Sequence, residues 1–134
     1  MSILEQLARR HKSDKTGAHN YIGIYEKYIF SKKNKLINLL EIGVGGLKDG
    51  NYSNIHTGGN SLKIWRDYFK KGKIVGLDIF EKKLNLGERV KIFQGSQSSA
   101  DTLDQIIKKY KKFDFIIDDG SHFYKDIIFS FKYL

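Results

Sequence analysis

The chain contains neither cysteine nor proline. Without cysteine there is no disulfide framework and no thiolate metal site. Without proline there is no proline-rich linker to separate domains. No apolar run approaches the roughly 18 residues that would suggest a membrane span. The amino terminus, MSILEQLARRHKSDK, carries charges where a signal peptide needs an apolar stretch. These absences point to a soluble cytoplasmic protein. At 134 residues the chain is one domain at most, and 40% hydrophobic content suits a globular core rather than a disordered segment.

The chain has 24 lysines and arginines against 15 acidic residues, a formal charge of +9. Such a surface could attract nucleic acid. The lysines, however, gather at Lys32, Lys33 and Lys35, at Lys70, Lys71 and Lys73, and at Lys108, Lys109, Lys111 and Lys112. Each group falls where a helix is expected to end and a strand to begin. Lysine there favours the negative end of the helix dipole and keeps the turn soluble. A nucleic-acid partner is therefore not the expectation.

Apolar spacing predicts a short helix over 3–11 and a second over 20–32, with Tyr21, Ile22, Tyr25, Tyr28 and Ile29 at helical intervals. From Lys35 the pattern changes to the nearly continuous apolar run LINLLEI, as expected for a buried parallel strand. A glycine-rich loop of about 18 residues follows. Residues 61–71 then read as a helix with Leu62, Trp65 and Phe69 on one side. Strands are expected over 73–79, 89–94 and 112–118, and helices over 100–110 and 124–133. The last two helices carry Leu103, Ile106, Ile107 and Tyr110, and Ile127, Ile128, Phe131 and Tyr133. This alternation predicts an α/β domain, a Rossmann-like parallel sheet of about four strands with flanking helices. Residues 1–34 would form a helical cap ahead of the sheet domain at 35–134.

Ligands of open parallel sheets bind at the carboxyl ends of the strands. After the first strand stands Glu41-Ile42-Gly43-Val44-Gly45-Gly46. Its glycines allow close backbone approach to a ligand, or serve a purely structural turn. The spacing is not the dinucleotide GxGxxG, which disfavours a nicotinamide cofactor. Glu41 could receive the ammonium of an amino-acid cofactor. Asp78, after the second strand, could accept from vicinal ribose hydroxyls or be a solvated loop residue. Ser96 and Gln97, after the third, could reach an adenine edge or cap the next helix. Asp118-Asp119-Gly120-Ser121-His122, after the fourth, combines carboxylates for a hard cation with a histidine able to act as general base. The other reading is a capping aspartate with a surface histidine.

Taken together, SDKTGAHNY, LLEIGVGG, GGNSLKIWRDYF, IVGLDI, FQGSQS and FDFIIDDGSH resemble one group of class I S-adenosylmethionine-dependent methyltransferases. The resemblance is to the metal-dependent sugar O-methyltransferases of the mycinamicin methyltransferase type, and it runs from about Ser13 to Leu134. It implies that Glu41, Gly43 and Gly45 hold the methionine part of S-adenosylmethionine, that Asp78 binds its ribose, and that Ser96 and Gln97 lie near its adenine. It further implies that Asp119 stands beside the cofactor and helps bind Mg²⁺, that His122 is the base, and that Asp14 to Tyr21 form a lid. The implied acceptor is a small molecule, a sugar hydroxyl. A domain of that class carries about seven strands, and its remaining Mg²⁺ ligands end the fifth. The expectation is thus a truncated form with an incomplete ligand set, an exposed fourth strand, and cofactor-site geometry without dependable catalysis. A complementing chain or a homo-oligomer could complete it.

Overall fold

The computed structural model describes residues 1–16, 21–46 and 58–134. Two parts of the sequence reading lie outside them: residues 17–20 of the lid stretch and 47–57 of the long loop. The run NLLEI forms the first strand, β1 (Asn38–Ile42), and its residues are buried from Leu39 onward. The helix α3 (Asn60–Tyr68) returns the chain to β2 (Lys73–Asp78), followed by β3 (Val90–Gln94), α4 (Ala100–Tyr110), β4 (Phe115–Asp118) and α5 (Tyr124–Tyr133). Ahead of the sheet come α1 (Ile3–Arg10), α2 (Ile22–Ile29) and a 3-10 turn over Phe30–Lys32. All strand pairs are parallel, in the order β3-β2-β1-β4.

That order explains the two layers of helices. The chain steps from β1 outward to β2 and β3, then crosses back to lay β4 on the other side of β1. Crossovers of one hand put helices on opposite faces when the direction of travel reverses. Leu39 and Ile74 accordingly share a core with Leu4, Leu7 and Ala8 of α1, Ile22 and Ile29 of α2, and Leu62 and Trp65 of α3. Leu40, Ile42, Val75 and Leu77 meet Leu103 and Ile106 of α4 on the other face, with Phe129 of α5 against them. The reversal falls between β1 and β4, so the residues that end these two strands face a common crevice.

The helix ends follow local chemistry. Ser2 Oγ accepts the Glu5 N–H at 3.1 Å and Ser99 Oγ accepts the Thr102 N–H at 3.3 Å. Thus Ser99, rather than Ser96 or Gln97, caps α4. At the carboxyl end of α3 the guanidinium of Arg89 donates to the carbonyls of Arg66, Phe69 and Gly72. It ties the helix end to the start of β3 and satisfies carbonyls that have no partner within the helix.

Two apolar stripes come out narrower than their spacing suggested. In α2 only Ile22 and Ile29 are buried, whereas Tyr21 and Tyr28 are exposed. In α5 Ile127, Phe131 and Tyr133 are exposed, and Ser130 is the buried residue. β4 is an edge strand, as expected, and Ile116 on it is exposed. No helix among the described residues is long and apolar enough to cross a membrane.

Candidate functional site

The loop after β1 and the loop after β4 are locked together. The Asp119 N–H donates to the Ile42 carbonyl at 2.8 Å, and the Gly43 N–H donates to Leu77 at 2.7 Å. Gly43 has φ of +91°, and a Cβ there would collide with the Asp119 carbonyl. Only glycine allows the two strand ends to come this close. Gly45, at φ +80°, differs: a Cβ on it would meet nothing within 4 Å. Its Cα thus faces no described neighbour, while its carbonyl packs against Gly58.

Three clefts open over these strand ends, and Asp119 lines all of them. The first, about 420 Å³, has Gly45, Asp78 and Ser96 among its polar lining and Leu77, Ile79, Phe80 and Phe123 as apolar walls. The second lies under the N-terminal segment, between His11, Asp14, Gly45 and Lys63. The third is lined by Asp14, Lys15, Tyr21, Tyr25, Asp118, Asp119 and His122. The first combines an apolar slot with a carboxylate. Volume and lining suit a small-molecule ligand.

The residues singled out from the sequence differ in how committed they are. Asp78 braces the site from inside: Oδ2 accepts the Val44 N–H and Oδ1 the Phe80 N–H, both at 2.9 Å. Each oxygen keeps the capacity to accept a further hydrogen bond. Ser96 Oγ shares a hydrogen bond with Ser98 Oγ and accepts the Ser98 N–H, forming a tight turn at the cleft wall. Gln97 lines the cleft, but its amide is fully engaged. Nε2 donates to Asp118 Oδ2 at 3.0 Å and to Ser130 Oγ at 3.1 Å, and Oε1 accepts the Ser121 N–H at 2.7 Å. It thereby ties the β4 loop to α5. His122 is exposed at the mouth of the third cleft, beside Asp119.

Glu41 is 1% exposed and points into the face covered by α3. Its Oε2 accepts the Trp65 Nε1–H at 2.7 Å. Burial drives its pKa up to about 7, against the pull of Lys15 and the Trp65 hydrogen bond. The residue that sequence reasoning missed is Lys15. It is 4% exposed, and its Nζ donates to Asp119 Oδ2 at 2.8 Å. Burial alone would lower its pKa, but the charges of Glu41 and Asp119 outweigh this and raise it. Lys15 stands in the SDKT stretch read as part of a lid, with no role of its own assigned there. Its role arises only when folding brings it to a carboxylate 104 positions away.

Among the described residues no group of three or more His, Cys, Asp or Glu side chains could hold a metal ion. Asp119 offers one carboxylate, already paired with Lys15. The Asp118 oxygens accept from Gln97, Gly120 and Ser130. A hard divalent cation takes about six oxygen ligands, which these residues do not supply.

No protein-family model matches the chain. It is 41% identical over 120 residues to the 8-demethyl-8-(2-methoxy-alpha-L-rhamnosyl)-tetracenomycin-C 3'-O-methyltransferase of Streptomyces olivaceus, covering 89% of this chain and 30% of that enzyme. It is 37% identical over 132 residues to the mycinamicin VI 2''-O-methyltransferase of Micromonospora griseorubida, covering 98% of this chain and 32% of that one. Among solved structures it superposes on the MycE methyltransferase in complex with Mg and SAH with a TM-score of 0.87 and 37% identity, over 99% of this chain and 36% of that one. A second MycE complex, with Mg, SAH and mycinamycin VI, gives the same TM-score. The chain spans about a third of the length of these relatives. Over nearly its whole length it is thus a homologue of the sugar O-methyltransferases of natural-product biosynthesis, with their Rossmann-like α/β fold.

Proposed function

We propose that the chain forms the cofactor-binding part of an S-adenosylmethionine-dependent O-methyltransferase whose acceptor is a sugar hydroxyl of a natural product. The observation that carries this reading is the meeting of three clefts at Asp119, over the carboxyl ends of β1, β2 and β4. The adenosine part would lie in the cleft walled by Asp78, Ile79, Phe80 and Ser96. Asp78 would accept from the ribose, and Gly43 and Gly45 would let the backbone approach the methionine part. Gln97 supports the adenine wall by fixing the β4 loop, and Glu41 acts from beneath the glycine loop. The acceptor would enter the cleft of Tyr21, Tyr25 and His122, with Asp14 and Lys15 of the N-terminal segment closing over it as a lid.

When bound, S-adenosylmethionine supplies a methyl group already activated by its sulfonium. His122 would take the proton of the acceptor hydroxyl, and the clefts on either side of Asp119 would align the oxygen with the methyl group. Asp119 would contribute one ligand to a Mg²⁺ ion, an incomplete set that favours cofactor binding over turnover by these residues alone. A complementing chain or a second copy would supply what turnover needs, and the setting would be cytoplasmic.

The reading is tested by adding S-adenosylhomocysteine to isotopically labelled protein and following backbone amide resonances. The amides of Gly43, Gly45, Asp78, Ser96 and Asp119 are expected to move together. Perturbation confined to other surfaces, or none, would sink it.

A further inference from the structure

The end of the sheet opposite the clefts gathers positive charge. The lysine groups of 32–35, 70–73 and 108–112 come just before β1, β2 and β4, and parallel strands bring all three to one end. Hydrogen bonds around Asn38 draw the segments together. The Lys73 N–H donates to the Ile37 carbonyl and the Asp114 N–H to the Asn38 carbonyl, both at 2.8 Å, and Asn38 Nδ2 donates to the Lys112 carbonyl at 3.1 Å. Lys35, Lys71, Lys73 and Lys112 are exposed, and among the described residues no lysine of these groups forms an ion pair. Asp114, the acidic residue beside them, accepts the Asn38 N–H at 2.9 Å. Helix dipoles account for lysine at each helix end. They do not account for the apolar side chains raised in the same segments. Leu36, next to Lys35, is 84% exposed, and Phe30, whose carbonyl accepts the Lys33 N–H, is 65% exposed.

We propose that this end of the sheet docks on an anionic lipid surface, with the lysines against the headgroups and Leu36 and Phe30 entering the interface. The negative potential of such a surface attracts nearby lysines, and the attraction grows with each one added. Apolar side chains among them find in the interfacial layer an environment that water does not offer. A nucleic acid would match the lysines through its phosphates but gives an exposed leucine nothing to bury against. The apolar pair is what favours lipid. The clefts lie at the far end of the strands, ~16 Å away along the five residues of β1, so docking leaves them open to water.

The test is cosedimentation of the full chain with vesicles of phosphatidylcholine carrying about one third phosphatidylglycerol, against vesicles of phosphatidylcholine alone. Binding is expected to the anionic vesicles only, and to fall as ionic strength rises. Lys71→Gln/Lys73→Gln should weaken it about 25-fold, roughly fivefold for each charge removed. Lys82→Gln/Lys83→Gln removes the same charge from the loop whose Leu84 lies against Gly59, at the cleft end, and should weaken it less than about twofold. Leu36→Ser leaves the charge unchanged and should weaken binding about threefold or more. Circular dichroism of each variant checks that these surface substitutions keep the fold. Equal weakening by the two lysine pairs would overturn the proposal in favour of net charge alone. So would the absence of binding to anionic vesicles, or full binding by Leu36→Ser. Tighter binding of duplex DNA than of vesicles would assign the surface to nucleic acid instead.

Discussion

The indole N–H of Trp65 donates to the carboxylate of Glu41 across the interface between α3 and β1, at 2.7 Å and out of contact with water. Trp65 is fully buried and packs edge-on against Tyr25 at 5.6 Å between ring centres. The bond joins the glycine loop's parent strand to the helix that follows the loop. Replacing Trp65 by Phe keeps most of the apolar volume but strips a buried carboxylate of its donor. It should destabilise the chain by about 2–3 kcal/mol, measured by urea denaturation. A loss near zero would show that the bond contributes little.

The same carboxylate gives a pH signature. Burial raises the Glu41 pKa to about 7, so the folded chain holds a proton that the unfolded chain has released. Stability therefore falls as pH rises from the ordinary glutamate range, about 4.3, to about 7, and is flat above it. Glu41→Gln keeps an acceptor for Trp65 and has no proton to lose. The difference between the two stability curves should slope across that window, and parallel curves would contradict the assignment.

Asp67 behaves in the opposite sense. The Arg66 Nε–H bond at 2.8 Å, opposed by partial burial and aided by the 2.8 Å contact to His11 Nε2, holds its carboxyl near a pKa of about 2. Its contribution to stability is complete above the ordinary aspartate value, about 3.9, and is lost as pH falls through about 2. Asp67→Asn should cost about 1 kcal/mol at neutral pH, discounted because the pair is about a quarter exposed, and the cost should disappear as pH falls below about 2. A cost undiminished as pH falls below about 2 would assign the effect to packing.

The two glycines after β1 should respond differently to alanine. At Gly43 the added methyl meets the Asp119 backbone, so the β1 and β4 loops must part. A loss of more than about 3 kcal/mol is expected, because backbone strain and steric overlap add. At Gly45 the methyl meets nothing among the described residues, and the positive φ is penalised, by about 1–2 kcal/mol. Thermal unfolding of both variants checks this, and equal losses would refute the proposed contact with Asp119.

Most of the frame was legible in the sequence. Continuous apolar runs bounded by polar turns mark β1 and β2 because both faces of a parallel strand are covered, and the residues after each strand end mark the crevice. What spacing does not reveal is what covers a residue. Phe131 sits at a helical interval in α5 yet is 84% exposed, since the described neighbours of α5 lie on its other side. Trp65 reads as part of a core stripe, with no sign that its N–H serves Glu41. Gln97 reads as a ligand or a cap, while its three hydrogen bonds bind the β4 loop to α5. Lys15 falls within the stretch read as a lid, but its pairing with Asp119 depends on a contact made only in the folded chain.

The most direct test of the central claim is calorimetric titration of S-adenosylmethionine into the purified chain, with a chelator present and Asp78→Asn as control. The account predicts saturable, metal-independent binding in the micromolar range, weakened about tenfold or more when the ribose loses its charged acceptor. A folded chain that shows no saturable heat, or binding indifferent to Asp78, would contradict it.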